Sequence, residues 1–221
     1  MTVVSSSRYS TGEIATAEAA ESFSWEAPVP VNRFWDSFSY GTARSFLGNF
    51  SDAELEQLAI DPVVIDSDNT ADQQKKLQLL LQLLRNKLAN EETAHSRPQS
   101  LYDVDYKRWP DESNVVPLHM LAEYFVKAGK YKEAEEIARP VCEWMDACSH
   151  LGKTSPQAIN TRGIITRALW GQGPSRRSEA EALIANIREL VDGMGESKFC
   201  IYQKEEVRLN KEMLADLKLE I

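Results

Sequence analysis

The sequence lacks an apolar run near the roughly 20 residues that a membrane-spanning helix needs. Its first residues, Met1 to Ser7, carry neither the basic nor the apolar stretch of a secretory signal. It has only three cysteines, Cys142, Cys148 and Cys200, and this small odd number does not suit a disulfide framework. These absences predict a cytoplasmic protein that does not enter a membrane.

Positive charge is also scarce. The 25 Lys and Arg residues are outnumbered by 34 Asp and Glu residues, which gives a formal net charge of -9. Binding to a nucleic-acid backbone requires a basic surface, and no local basic cluster offsets the acidic balance. The composition therefore predicts an acidic protein without a nucleic-acid partner.

The motifs of common enzymes and metal sites are missing as well. There is no Gly-rich phosphate loop, no G-x-S-x-G elbow and no H-E-x-x-H pair. Cys142, Cys148 and His150 do not match the usual zinc spacing, and Cys142 suits a packed position better than a nucleophile's. We therefore expect no metal and no cofactor, and the sequence favours a protein without catalytic activity.

The N-terminal part divides into a polar arm and an aromatic segment. Residues 1–24 are small and polar and predict a flexible arm, whereas residues 25–221 predict a single all-helical domain. Trp35, Phe38 and Phe46 share one helical face, and Gly48-Asn49 would end that helix. Core packing is the favoured explanation for these aromatic side chains.

The strongest single helix is predicted from Ala71 to Asn90. Its apolar stripe of leucines is wide enough to need cover on more than one side. The residues concerned are Leu77, Leu80, Leu81, Leu84 and Leu88, with Leu79 and Leu83 beside them.

A pattern of small and apolar residues occurs twice after residue 115. The first copy consists of Leu121, Ala122, Phe125, Gly129, Tyr131, Ala134 and Ala138, and the second of Ile165, Leu169, Gly173, Ala180 and Ile184. The pattern resembles the tetratricopeptide repeat, in which small residues let two helices pack closely and glycine ends the first of them. The two glycines lie 44 residues apart, which is longer than the basic repeat of about 34 residues.

The junction between the copies resembles that of the extended, kinesin-light-chain-like form of the repeat, which also occurs in many fungal proteins. Leu151-Gly152 is followed by Ser155-Pro156 and Ala158. Ser155 can cap the next helix, and Pro156 fits its first position, where a missing N–H has no cost. The resemblance implies a right-handed solenoid of helix pairs with the N-terminal helices packed on it.

The resemblance covers residues 115–195, and a closing helix is predicted over 198–219. Two residues depart from the family pattern. Pro140 lies inside the second helix of the first repeat and predicts a local kink. Arg162 stands where a large apolar residue is usual, so either the register of the repeat is shifted by one residue or its guanidinium points into the groove of the solenoid, and we expect the second.

The resemblance also implies which residues line the concave groove, because the first helix of each repeat faces it. The candidates are His119, Glu123, Lys127, Asn160, Arg162, Arg167 and Trp170. His119 and Glu123 stand where some family members use Lys and Asn to hold a terminal carboxylate, so binding of chaperone tails is disfavoured. A solvated polar surface is the alternative explanation for these residues.

Three functions remain open. The first is a module that binds a protein or peptide in the polar groove, which the repeat pattern and the missing catalytic motifs favour. The second is a biosynthetic enzyme whose small-molecule pocket lies between the aromatic N-terminal helices and the repeats and uses His119, Glu123, Arg162 or Asp105. The third is a homo-oligomer that assembles through Leu79 and Leu83 or through the terminal helix.

Overall fold

The computed structural model describes residues 3–4, 29–30, 46–47, 49–50, 70–94, 110–111 and 114–218. It divides into two compact units, residues 1–83 and residues 84–221. A short antiparallel pair joins β1 (Val3–Val4) to β2 (Val29–Pro30). Apart from this pair the described residues are mainly helical, which confirms the all-helical class that the sequence predicted. The solenoid arrangement stays a prediction.

Little of the N-terminal part is described. Phe46 and Leu47 are helical, Phe46 is fully buried, and its ring centroid lies 4.8 Å from that of Phe50. The backbone N–H of Asn49 donates to the carbonyl oxygen of Phe46 at 3.0 Å, so a turn follows where the sequence predicted the helix to end. Apart from Val3 and Val4, which pair with β2, the predicted arm lies outside the described residues, as do Trp35, Phe38 and Asp105. The single domain over 25–221 stays a prediction.

The first long helix, α1 (Thr70–Ala94), runs through the boundary between the two units. Its five predicted stripe residues are all buried: Leu77, Leu80, Leu81, Leu84 and Leu88. Leu79 is 40% exposed and Leu83 is half-buried, so an oligomer through these two residues stays a prediction. No described helix is long and apolar enough to cross a membrane.

Five further helices follow among the described residues of the second unit. They are α2 (Val115–Lys127), α3 (Tyr131–Ala147), α4 (Pro156–Gly171), α5 (Arg177–Gly193) and α6 (Gln203–Asp216). Short 3-10 turns occupy Pro174–Arg176, Met194–Glu196 and Cys200–Tyr202. The predicted closing helix over 198–219 is therefore shorter, since a 3-10 turn stands at its start.

Two features explain the boundaries of these helices. Gly129 and Gly173 adopt φ angles of 72° and 103°, a region that glycine enters without steric cost, and each ends the first helix of a pair. At the start of α4, the Ser155 hydroxyl accepts a hydrogen bond from the Ala158 N–H at 3.2 Å, and Pro156 occupies the first turn. The predicted cap is confirmed. Helix α3 continues through Pro140 without a break, and the predicted kink stays a prediction.

Contacts between side chains define the direction of each helix. Consecutive helices α3 and α4 are antiparallel, because Tyr131 meets Gly171 while Asp146 meets Arg162. Alternate helices are parallel: on α2 and α4, His119 meets Thr161 and Glu123 meets Arg167. By the same argument α4 and α6 run in parallel, since Gly163 lies against Met213 and Arg167 is close enough to Asp216 to interact electrostatically.

Helix α4 is central to the second unit. It packs against α2, α3, α5 and α6, and it buries both apolar and polar side chains. The fully buried residues Ala134 and Ala138 of α3 have small side chains, which allow the neighbouring helices to approach closely. This arrangement leaves α2 and α4 side by side.

Candidate functional site

The site is a surface on α2 and α4, called here the polar face. It consists of five of the seven predicted residues: His119, Glu123 and Lys127 from α2, and Asn160 and Arg167 from α4. On α2, residues four apart fall on the same side of the helix, and on α4 Asn160 and Arg167 lie two turns apart. Because α2 and α4 are parallel, the two rows meet.

A bidentate ion pair joins the two rows. The Arg167 guanidinium donates to both carboxylate oxygens of Glu123, at 2.6 Å and 3.2 Å, and its Nε donates to the Gly163 carbonyl oxygen. Lys127 Nζ lies 3.6 Å from the same carboxylate. The side chains of Glu123 and Arg167 are 16% and 25% exposed, so the pair is partly shielded from water.

This environment alters the acidity of Glu123. Burial by itself acts to raise the pKa of the carboxyl, but the positive charges of Arg167 and Lys127 and the Arg167 hydrogen bond outweigh it. The net effect lowers the pKa of Glu123 to about 2. The pKa of Arg167 is raised, because its attraction to Glu123 exceeds the effect of its own burial. Both groups are therefore charged throughout the physiological pH range.

His119 forms the second connection between the rows. Its Nδ1 lies 2.9 Å from the Thr161 hydroxyl oxygen, and that hydroxyl donates its only hydrogen towards the Gln157 carbonyl oxygen or the Met145 sulfur. With the hydroxyl hydrogen used in this way, its oxygen can accept from Nδ1–H in the tautomer of neutral His119 that leaves the other ring nitrogen as an acceptor. That nitrogen, Nε2, faces the Asn160 amide nitrogen at 3.4 Å.

Two predicted residues lie elsewhere. Arg162 is buried and does not point into a groove: its guanidinium donates to Asp146 Oδ2 at 2.5 Å, to Asn186 Oδ1 and to the Ala158 carbonyl oxygen. On α4 it is five residues from Arg167, or roughly 140° around the helix. This position differs from the expectation because Asp146 and Asn186 compensate the charge that a groove would have left to water.

Trp170 is the second of these residues. It is half-buried, and the Arg177 guanidinium lies 4.7 Å from the centroid of one of its rings. The contact connects the end of α4 to the start of α5 and is a cation–π interaction. In the described structure its identified partner is therefore on α5 rather than on the polar face.

Sequence reasoning missed a second charged cluster, called here the rear cluster. It consists of Glu135 and Arg139 of α3, Gln172 just after α4, Arg176 just before α5, and Glu179 in the first turn of α5. The spacings Glu135 to Arg139 and Arg176 to Glu179, four and three residues, are typical of ion pairs on a helix. Those spacings signal the local pairs, but not the contacts that cross from α3 to α5.

The described cysteines lie in different environments. Burial raises the pKa of the Cys142 thiol to about 11, so the thiol stays protonated at neutral pH, as a packed side chain would. Cys148 Sγ and His150 Nδ1 lie 3.1 Å apart on an exposed turn. Within the described ranges, no group of three or more His, Cys, Asp or Glu side chains could hold a metal ion.

Comparison with known proteins gave no relative. No protein-family model matches the sequence, and the searches of curated proteins and of solved structures found no match either.

Proposed function

We propose that the chain is a helical-repeat module that binds a protein or peptide across the polar face. The observation that carries this proposal is the meeting of five predicted groove residues on two parallel, neighbouring helices. Side chains that occupy one face at regular intervals and remain partly exposed can offer donors and acceptors to a bound chain.

The helix directions support a repeat architecture of the tetratricopeptide kind. In such an array the first helices of successive pairs are parallel and form one layer, and the second helices form the other. Helices α2, α4 and α6 fit the first layer, and α3 and α5 fit the second, since Glu135 meets Arg176 while Arg139 meets Glu179. The turn glycines and the Ser155 cap fit the extended form of the repeat.

The described part of α1 that contacts α2 does so on the side away from the polar face. Arg85 of α1 lies over the Phe125 ring of α2, at 5.0 Å from its centroid. Phe125 is two residues from Glu123, which places it on roughly the opposite side of α2. This part of α1 therefore packs away from the proposed binding surface.

A peptide selection tests the proposal. The full chain is used to select binders from a random peptide library, and the affinity of each binder is measured by fluorescence anisotropy. The key variant exchanges two charges, Glu123→Arg with Arg167→Glu, because it can keep an ion pair between α2 and α4 while it reverses what a ligand meets. We expect at least about a tenfold loss of affinity, equivalent to about 1.4 kcal/mol.

The matched control is Arg188→Glu, a charge reversal on the exposed surface of α5. It should bind as the unchanged protein does, and circular dichroism should show both variants folded. Equal affinity of the exchanged variant and the control, or no peptide that binds better than its scrambled version, would refute the proposal.

A further inference from the structure

The rear cluster bridges two different helix pairs. Glu135 of α3 is its centre and accepts hydrogen bonds from Arg176 Nη2 at 2.7 Å, Gln172 Nε2 at 2.6 Å and Arg139 Nε at 2.8 Å. Glu179 of α5 accepts from Arg176 at 2.7 Å and from Arg139. The ion pairs thus cross between α3 and α5 in both directions.

The charges of this cluster differ in their access to solvent. The side chain of Glu135 is 11% exposed, whereas those of Arg139, Arg176 and Glu179 are 40%, 32% and 44% exposed. Dissolved salt screens exposed charges much more than buried ones. The cluster combines a shielded centre with partners that salt can weaken.

The spacing of α3 and α5 also affects the polar face. Helix α2 packs on α3, and α4 packs on both α3 and α5. Each packed pair resists deformation because interiors are close-packed. A change in the separation of α3 from α5 is therefore passed on to α2 and α4, whose connections are the directional Glu123–Arg167 and His119–Thr161 contacts.

We propose that the rear cluster is a salt-sensitive clamp that sets the spacing of the helices of the polar face. A role of the clamp in regulating peptide affinity rests on the proposed function. The clamp itself rests only on the contacts of the rear cluster. Releasing the clamp lets α3 and α5 separate and widens the spacing of α2 and α4. Because α6 packs on α4, the span from α2 to α6 widens with it.

The span can be measured by double electron–electron resonance without any peptide. Spin labels are placed by Val116→Cys on α2 and Lys211→Cys on α6, two exposed positions, in a chain that carries Cys148→Ser and Cys200→Ser. The clamp is removed by Arg139→Gln with Arg176→Gln. The matched control is Arg188→Gln on α5.

We expect the clamp variant to shift or broaden the distance distribution by about 2 Å or more, the size of helix shifts at packed interfaces. The control should leave the distribution unchanged. The same labelled chain with an intact clamp should respond when NaCl is raised from low concentration to 1 M, which tests the clamp even if the double variant does not fold. An unchanged distribution at both salt concentrations would overturn the proposal, whatever the peptide selection shows.

Discussion

At the residue scale, Arg162 places a positive charge inside the helical unit. Its guanidinium forms an ion pair with Asp146 and donates a hydrogen bond to Asn186, and both partners come from neighbouring helices. The second carboxylate oxygen of Asp146 is buried and has no hydrogen-bond partner among the described residues. A buried ion pair with incomplete hydrogen bonding contributes little net stability, although loss of one partner is costly.

We therefore expect Asp146→Ala to destabilise the fold by about 3 kcal/mol, because it leaves the Arg162 charge without its carboxylate. The double variant Arg162→Leu with Asp146→Leu should recover most of that loss, since it restores an apolar residue where the repeat pattern has one. Urea unfolding followed by circular dichroism gives both values. A double variant no more stable than Asp146→Ala would show that the ion pair is needed for its own sake.

Gly171, the last residue of α4, lies where a larger side chain would be crowded. A Cβ atom at this position would lie 2.5 Å from the ring of Tyr131. Alanine favours helix over glycine by about 1 kcal/mol, but crowding of this kind costs about 1 to 3 kcal/mol. Gly171→Ala should therefore be destabilising by about 1 kcal/mol in chemical denaturation.

Gly163, on the same helix, provides the matched comparison. Its nearest obstacle to a Cβ atom is the Met213 sulfur at 3.4 Å, and a methionine side chain adjusts easily. Gly163→Ala should be neutral or stabilising by up to about 1 kcal/mol. If Gly171→Ala proved the more stable of the two variants, the close packing of Tyr131 on α4 would be contradicted.

At the scale of secondary-structure elements, the local signals in the sequence were sufficient for the helices of the repeat-like part. The cap at Ser155 and the glycine at position 129 predicted helix boundaries close to those observed. The 3-10 turn at Cys200–Tyr202 was not predicted, because apolar periodicity does not distinguish the first turn of a helix from a tighter one.

The connections between elements were beyond the reach of sequence reasoning. The polar face was predicted as a set of residues, but its pairing of Glu123 with Arg167 joins positions 44 residues apart. Arg162 was assigned to the groove because the repeat pattern has an apolar residue at its position, and Asp146, its partner, gave no signal in the sequence. Long-range compensation of charge depends on helix packing, which local patterns do not encode.

The ion pairs between helices also predict that the stability of the fold depends on pH. The pKa of Glu135, like that of Glu123, is lowered from 4.5 to about 2. For Glu135, burial acts to raise the pKa, but the hydrogen bonds from Arg176, Gln172 and Arg139 outweigh this effect. A carboxyl whose pKa is lower in the folded state binds protons more readily when unfolded. The carboxylate contributes its full stabilisation at pH values above its pKa in the unfolded state, and this stabilisation is lost as the pH falls towards 2.

Stability should therefore decrease between about pH 5 and pH 2, by on the order of 2 kcal/mol for each of the two carboxylates. Urea unfolding at a series of pH values measures the decrease, and Glu135→Gln should reduce its slope. Glu181→Gln, at an exposed position on α5, is the control and should leave the slope unchanged. A slope unaffected by Glu135→Gln would contradict the proposed strength of the rear cluster.

At the scale of the whole molecule, net charge is unevenly distributed. The chain as a whole carries a formal charge of -9, yet the polar face contains two cations, Lys127 and Arg167, against the single carboxylate of Glu123. The acidic balance therefore does not describe the proposed binding surface. Composition alone indicated the class of partner to exclude, whereas the surface itself depends on how α2 and α4 meet.

The most direct measurement is the location of a selected peptide on the full chain by NMR. Amide chemical shifts are recorded during titration with the tightest peptide from the selection. We expect the largest shifts to cluster on α2 and α4 around Glu123 and Arg167, and we expect the exchange of these two charges to abolish them. Shifts confined to the exposed sides of α3 and α5, with α2 and α4 unaffected, would contradict the proposed function.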